Sequence, residues 1–225
     1  MTKLLWDQTG TRLYETGCDR GVLYPADTTK NAKSVYKNGV AWNGLTSVTE
    51  SPDGAEANDI WADNMKYGSI RSAETFGGTI EAYTYPDEFA ACDGSAEPVK
   101  GVRIGQQSRI PFAFAYRTLI GNDTATEEDD GYQIHIVYNA TASPSEKQYE
   151  SVNDSPEAIT FSWEFETTPV TVTGFKPTSL IVIDSTKVDG AILKKVEDKL
   201  YGTADAEAEL PTPDELLALL GYVAG

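Results

Sequence analysis

A chain of 225 residues, 40% hydrophobic and 10% aromatic, has apolar mass for one large β domain or two small ones, which excludes a disordered chain. Its formal net charge of −17 excludes a protein that grips nucleic acid, because phosphate binding needs clustered Lys and Arg. No apolar run approaches the ~18 residues of a bilayer span, and Leu4-Leu5-Trp6 is too short for a signal-peptide core, so no membrane association is expected.

Taken in chain order, "ADTTKNAKSVYKNG" (26–39) is polar, locally basic and unpatterned, and reads as a mobile loop. Next, "GVAWNGLTSVTE" and "NDIWADNMKYGSI" flank "SPDGAEA". Ser51-Pro52-Asp53-Gly54 holds the residues of a tight turn, with φ preset at Pro52 and a positive φ open to Gly54. The spacing predicts a long hairpin arm over about 39–70, turning near Pro52 and Asp53. Trp42 and Trp61 are expected as exposed aromatics on this otherwise polar arm, which makes it a candidate for contacts between subunits or rings.

In "FGGTIEAYTYPDEFAACDGS" (76–95), a strand places Glu81, Tyr83 and Tyr85 on one face and Ile80, Ala82 and Thr84 on the other. Pro86 suits the first position of a short helix, Asp87 and Glu88 its first turn, and Asp93-Gly94 its end. Its acids therefore read as capping charges at a corner between strand and helix, with Phe89 as the anchor. "RIPFAFAYRTLIG" alternates Phe112, Phe114 and Tyr116 against Ala113, Ala115 and Arg117, and "GYQIHIVYN" puts Ile134, Ile136 and Tyr138 on one face. The acidic "NDTATEEDD" between them makes a hairpin with a solvated loop.

"AITFSWEFETT" has the cleanest period of two, with Ile159, Phe161, Trp163 and Phe165 opposite Thr160, Ser162, Glu164 and Glu166. "SLIVID" is continuously apolar and is expected to be a strand buried on both faces. "VDGAILKKVEDKLYG" predicts a helix with Ile192, Val196 and Leu200 on one face and Gly202 as its stop. After the acidic linker "TADAEAEL", Thr212, Pro213 and Glu215 form a capping box at the start of a short helix. The expected fold class is mainly β: an antiparallel β-sandwich or barrel with a flanking helix. One domain is expected over 1–202, followed by the linker and terminal helix over 203–225.

Residues that carry chemistry are sparse. There is no G-x-S-x-G elbow and no glycine-rich phosphate loop before a helix. His135 is the only histidine and lies on a strand, where it reads as a surface or inter-strand residue rather than a general base. Asp123, Glu127, Glu128, Asp129 and Asp130 fail the EF-hand pattern, with Ala125 at position three and Glu128 where glycine is required. Glu164 and Glu166, at i and i+2, stand about 6 to 7 Å apart on one face, within reach of glycosidase spacings, but the strand's aromatics lie on the other face. Cys18 and Cys92 are far apart with no CxxC, so unpaired thiols are expected. No catalytic residue, metal site or cofactor is expected.

Several stretches resemble, as whole phrases and in order, the major tail tube protein of long-tailed bacteriophages and prophages of Gram-positive bacteria. They are "GVAWNGLTSVTESPDGAEANDIWADNMKYGSI", "AETFGGTIEAYTYPDEFAACDGS", "RTLIGND" with "GYQIHIVYNA", "VNDSPEAITFSWEFETTPV" and "FKPTSLIVIDSTKVD". The resemblance implies a structural virion protein, made in the host cytoplasm and located in the tail. It implies hexameric rings that stack into a tube around a tape measure protein, inner strands that join across subunits, and contacts with tail terminator and baseplate proteins. DNA would cross the lumen without specific binding, which agrees with an acidic chain. Ser162, Glu164 and Glu166 are the first candidates to face that lumen, with Glu81 the second. The competing class is a monomeric carbohydrate-binding β-sandwich of a phage tail or bacterial surface, since Trp and Tyr are plentiful. Rings or tubes in negative stain, against a monomer that binds glycans, discriminate the two.

Overall fold

The protein was analysed as a computed structural model, in which residues 3–29, 35–124, 131–151, 154 and 158–222 are described. The first strands in chain order are β1 (Leu13–Pro25), β2 (Val40–Trp42), β3 (Leu45–Gly54), β4 (Ala57–Ala62), β5 (Met65–Arg71) and β6 (Glu74–Ala82). A four-residue helix α1 (Phe89–Cys92) leads to β7 (Ala96–Val99), β8 (Val102–Ile104), β9 (Phe112–Asn122) and β10 (Tyr132–Ala142). The chain continues through β11 (Phe161–Thr167), β12 (Leu180–Asp184), α2 (Gly190–Tyr201) and α3 (Pro213–Leu219). Residues 30–34 of the expected loop, and Glu127, Glu128, Asp129 and Asp130 of the acidic cluster, lie outside the described residues.

The fold is mainly β, with antiparallel pairing and open edges rather than a closed barrel. β1, β9 and β10 lie side by side, with β2 on the outer edge of β1. The other edge of β10 is shared: Gln133–Val137 pairs with β12, whereas Ala140–Ala142 pairs with β11. The changeover coincides with a register shift between Val137 and Ala140, where Asn139 adopts a φ of 50°. A bulge of this kind bends its strand, and β11, β6 and β3 continue from the bend as a second sheet.

Alternation along β9, and along β10 with its phase shifted at the bulge, feeds two cores. Phe112, Phe114, Tyr116, Val137 and Ala140 pack with Ile80, Ala82, Phe89, Trp163 and Phe165 from β6, α1 and β11. Ala113, Ala115, Ile134, Ile136 and Tyr138 point the other way and pack with Leu193, Val196 and Leu200 of α2 and Leu216 of α3. The result is three layers: helices, the β1–β9–β10 sheet, and the β11–β6–β3 sheet. Small side chains at Ala113 and Ala115 leave room for α2, and buried Tyr24 satisfies its hydroxyl on the Leu200 carbonyl at 2.6 Å.

α2 stops and α3 starts where the sequence predicts. Asp189 caps α2 by accepting from the Ala191 and Ile192 amides, and Gly202 ends it at a φ of 77°. Thr212 and Glu215 form the full capping box of α3. The terminal segment is packed rather than pendant, since Leu216 is fully buried and Tyr138 Oη donates to the Pro211 carbonyl.

Four sequence expectations are corrected. First, the arm turns at Asp63-Asn64, both at positive φ (51° and 61°), and not at Ser51–Gly54. Pro52 and Asp53 lie within β3, opposite Phe76 and Thr75 of β6. The open edge of a terminal strand tolerates a proline, which lacks the donor that a central strand needs. Second, Trp42 is 2% exposed and belongs to the first core, not to the arm's surface. Its ring meets Phe89, Phe114 and Trp163 with centroids 4.6, 5.5 and 5.6 Å away, and Nε1–H donates to the Thr84 carbonyl at 2.9 Å.

Third, among the described residues β12 pairs only with β10 and leaves Val182 42% exposed, so its apolar run marks an edge strand and not a doubly buried one. Fourth, α1 begins at Phe89 with no acid in its first turn. Asp87 instead pairs with Arg103 at 2.6 Å, and Tyr85 packs inward against Phe161 and Trp163.

Candidate assembly surfaces

The second sheet turns one face to the core and presents the other outward. Its register aligns Ser162 of β11 with Glu81 of β6 and Ser47 of β3, and Glu164 with Thr79 and Thr49. Glu166, Gly77 and Ser51 form the next row, and Thr75 lies opposite Asp53. Ser162, Glu164, Glu166 and Glu81 are thus brought onto one face by pairing. Glu164, Glu166, Thr49, Ser51 and Asp53 are exposed or half-buried, and Ser47 Oγ donates to Glu81 at 2.8 Å.

No Lys or Arg stands in these rows. The rows border a shallow groove of about 470 Å³. Gly78 lets β6 lie close to its neighbours: a Cβ there would stand 2.2 Å from the Thr49 carbonyl oxygen and 2.8 Å from the core-facing Phe165 ring. The inward face of the same strands takes Ile80, Ala82, Trp163 and Phe165, so one period-two pattern serves core and surface together.

The arm is continuous with this sheet. β3 pairs with β6 from Leu45↔Ala82 out to Gly54↔Glu74, and β4 and β5 carry the ribbon on to the Asp63-Asn64 tip. Two consecutive residues with φ above zero give a turn whose twist matches the flanking strands. The β4–β5 ribbon exposes Ile60, Trp61, Met65, Tyr67 and Ile70, with Trp61 at 66% and Tyr67 at 78%. Lys66 and Asp59 pair across it at 2.7 Å. A two-stranded ribbon is marginal in water by itself, and exposed apolar surface of this extent is a feature that contact sites commonly present.

Where β3 leaves the domain, Glu50 points inward and ties the arm's root to the first sheet. Its Oε1 accepts from Tyr116 Oη at 2.5 Å and from His135 Nδ1 at 3.0 Å, while His135 Nε2 faces Thr118 Oγ1 at 3.2 Å. The His135 ring stacks on Tyr116 at 4.7 Å and is 8% exposed, so the lone histidine is an inter-strand residue. The His135 hydrogen bond is the largest influence on the Glu50 carboxyl and, with Tyr116, holds it below its ordinary 4.5 against the opposing effect of burial.

A depressed carboxyl adds stability above its unfolded value and loses it as the pH falls through its folded value. Glu50→Gln is therefore expected to lower the thermal midpoint at pH 7 but to converge with wild type as the pH drops below 4.5. Melting curves across that range check this, and a constant gap between the two proteins would overturn it.

Among the described residues, no group of three or more His, Cys, Asp or Glu could hold a metal ion. Both cysteines are free, and burial pushes the Cys92 thiol up to about 12 and the Cys18 thiol up to about 11. No described helix is long and apolar enough to cross a membrane. Two exposed features gave weak signals in the sequence. The β7–β8 hairpin leaves Val99, Val102 and Ile104 at least 50% exposed, and β1 carries a polar middle that hides its strand period.

The chain is thus a layered antiparallel fold that presents a polar face without Lys or Arg on its aligned rows and an apolar projecting ribbon. The family model for the phage tail tube protein matches residues 8–201. The chain belongs to that family, the major tail proteins of phages, whose Lactococcus representatives define the model. Membership makes it a structural protein of the virion tail that self-assembles and associates with other tail proteins. A comparison with curated proteins finds no match.

Proposed function

We propose that this major tail protein forms hexameric rings that stack into a tube around a tape measure protein and later conduct DNA during ejection. The outward face of β11, β6 and β3 lines the lumen, with Glu164, Glu166, Glu81 and Asp53 as its charges. The observation that carries this reading is the absence of Lys and Arg from the aligned rows of that face. Each basic side chain on a phosphate gains affinity by releasing counterions, so a conduit without them lets a polyanion slide.

The β4–β5 ribbon reaches a neighbouring subunit or the next ring, where Trp61 and Tyr67 become buried. Pro52 and Asp53 belong to the strand that carries the ribbon, and the buried Trp42 supports its root. The ends of the tube meet the terminator and baseplate proteins. With the helices on the layer opposite the polar face, α2 and α3 face the tube's exterior.

Replacing Glu164 and Glu166 together by Lys is the direct test, because both side chains are exposed and outside the core. Tubes of normal length are expected, with plaque formation lowered by roughly tenfold or more as the lumen begins to hold phosphate. Unchanged infectivity with normal tubes would place the lining elsewhere.

A further inference from the structure

Two features at opposite ends of β1 remain unpartnered. At one end, Gly10 is held by Asp123, and Arg12 pairs with the same carboxylate. Beyond that clamp Leu4, Leu5 and Trp6 stand 71%, 66% and 77% exposed. Three consecutive large apolar residues without cover are costly in water, at about 25 cal/mol per Å².

At the other end, β2 is the terminal strand of its sheet, and its outer edge has no strand partner among the described residues, although Gly39 N–H just before it donates to the Ala208 carbonyl at 2.8 Å. A largely apolar groove of about 400 Å³ lies there, bordered by Gly21, Gly39, Ala41, Tyr201 and Ala208. The register of β1 is broken between Asp19 and Val22, and Arg20 takes a φ of 50°. Such a bulge re-aims a side chain. Here it sets the guanidinium over the Tyr201 ring at the groove's rim, with its nearest acid, Glu197, 3.9 Å away. The Tyr201 hydroxyl is screened from water and has no hydrogen-bond partner among the described residues.

We propose that the Leu4–Asp7 segment of a second copy adds along the open edge of β2, with Trp6 seated in this groove. An open strand edge takes a single unpaired strand, and the apolar pocket beside it selects alternate side chains. Charge complements this placement: Asp7, 87% exposed and only 3.6 Å from its own Arg12, follows Trp6 and meets the half-exposed Arg20 of the receiving chain. The β4–β5 ribbon fits less well, because its two strands already pair with each other. Donor and acceptor lie on different surfaces of one chain, so the contact is head-to-tail and repeats around a ring or along a stack. This rests on the self-assembling reading of the chain.

The test is a mixed cross-link in a Cys18→Ser background. Chains carrying Trp6→Cys are mixed with isotope-labelled chains carrying Ala41→Cys, an exposed position on β2, allowed to assemble and then mildly oxidised. A disulfide between the two introduced thiols, joining labelled to unlabelled chains, is expected. In parallel, Trp6→Ala is expected to stay folded, because the side chain is exposed, and to form tubes at least tenfold more slowly than wild type. Tubes without the mixed disulfide overturn the proposal, as does a bond found only within single chains carrying both substitutions. A mixed disulfide from Trp61→Cys in place of Trp6→Cys would give the groove to the ribbon instead. A wild-type chain that stays monomeric at every concentration would remove the assembly reading itself, an outcome distinct from tubes that form without this contact.

Discussion

Trp42→Ala is expected to destabilise the whole domain by about 3–5 kcal/mol, the usual range for truncating a buried aromatic. The indole is 2% exposed and touches three aromatic rings drawn from three different elements. Its Nε1–H also satisfies the Thr84 carbonyl, which the truncation would leave without that donor. For a chain of this length the thermal midpoint should fall by on the order of 10 °C. Loss of tubes in this variant would then follow from unfolding. A variant that melts like wild type yet fails to assemble would instead return Trp42 to the contact surface.

Removing the β4–β5 ribbon is expected to do the reverse. Ser72 N–H donates to the Glu56 carbonyl at 3.3 Å, so the chain ends left by excising residues 57–71 already lie side by side. An Asn-Gly turn closing Glu56 to Ser72 suits that geometry. The ribbon belongs to neither core cluster, and an isolated two-stranded hairpin adds little stability, so the midpoint should stay within a few degrees of wild type. Tube formation, scored by negative-stain microscopy, should be lost. Normal tubes from this deletion would rule out the ribbon as an assembly contact. An excision of residues 48–58 would not serve, because it takes Val48 and Glu50 out of β3 and with them the link to Tyr116 and His135.

These two expectations differ because Trp42 and Trp61 look alike in the sequence and not in the fold. Each sits in a short, mixed segment, "VAW" and "DIWAD", where no long period tells an inward from an outward position. The burial of Trp42 follows from β2 pairing with Gly21–Leu23 of β1, about twenty residues upstream. The same limit applies to the turn. Pro52-Asp53-Gly54 has strong local turn chemistry, yet nine cross-strand pairs with β6 extend β3 through it. Asp63-Asn64 turns instead, by taking left-handed conformations that its residues tolerate.

By itself, the sequence determined what short-range chemistry controls. The period of two in β9, and in β10 as far as Tyr138, sorted side chains onto opposite faces, and in β11 it put Ser162, Glu164 and Glu166 on the face opposite Trp163 and Phe165. Capping at Thr212 set the start of α3, because a cap is satisfied within three residues of itself. Whole phrases of the chain carry the resemblance to the tail tube family. Only the tertiary structure decided which strands are edges, that Glu81 aligns with Ser162, that β12 is open on one side, and that the polar middle of β1 is a bulged strand held by Asp19 and Arg117. Those outcomes depend on pairings between distant segments, whose free energy is released only when the layers meet.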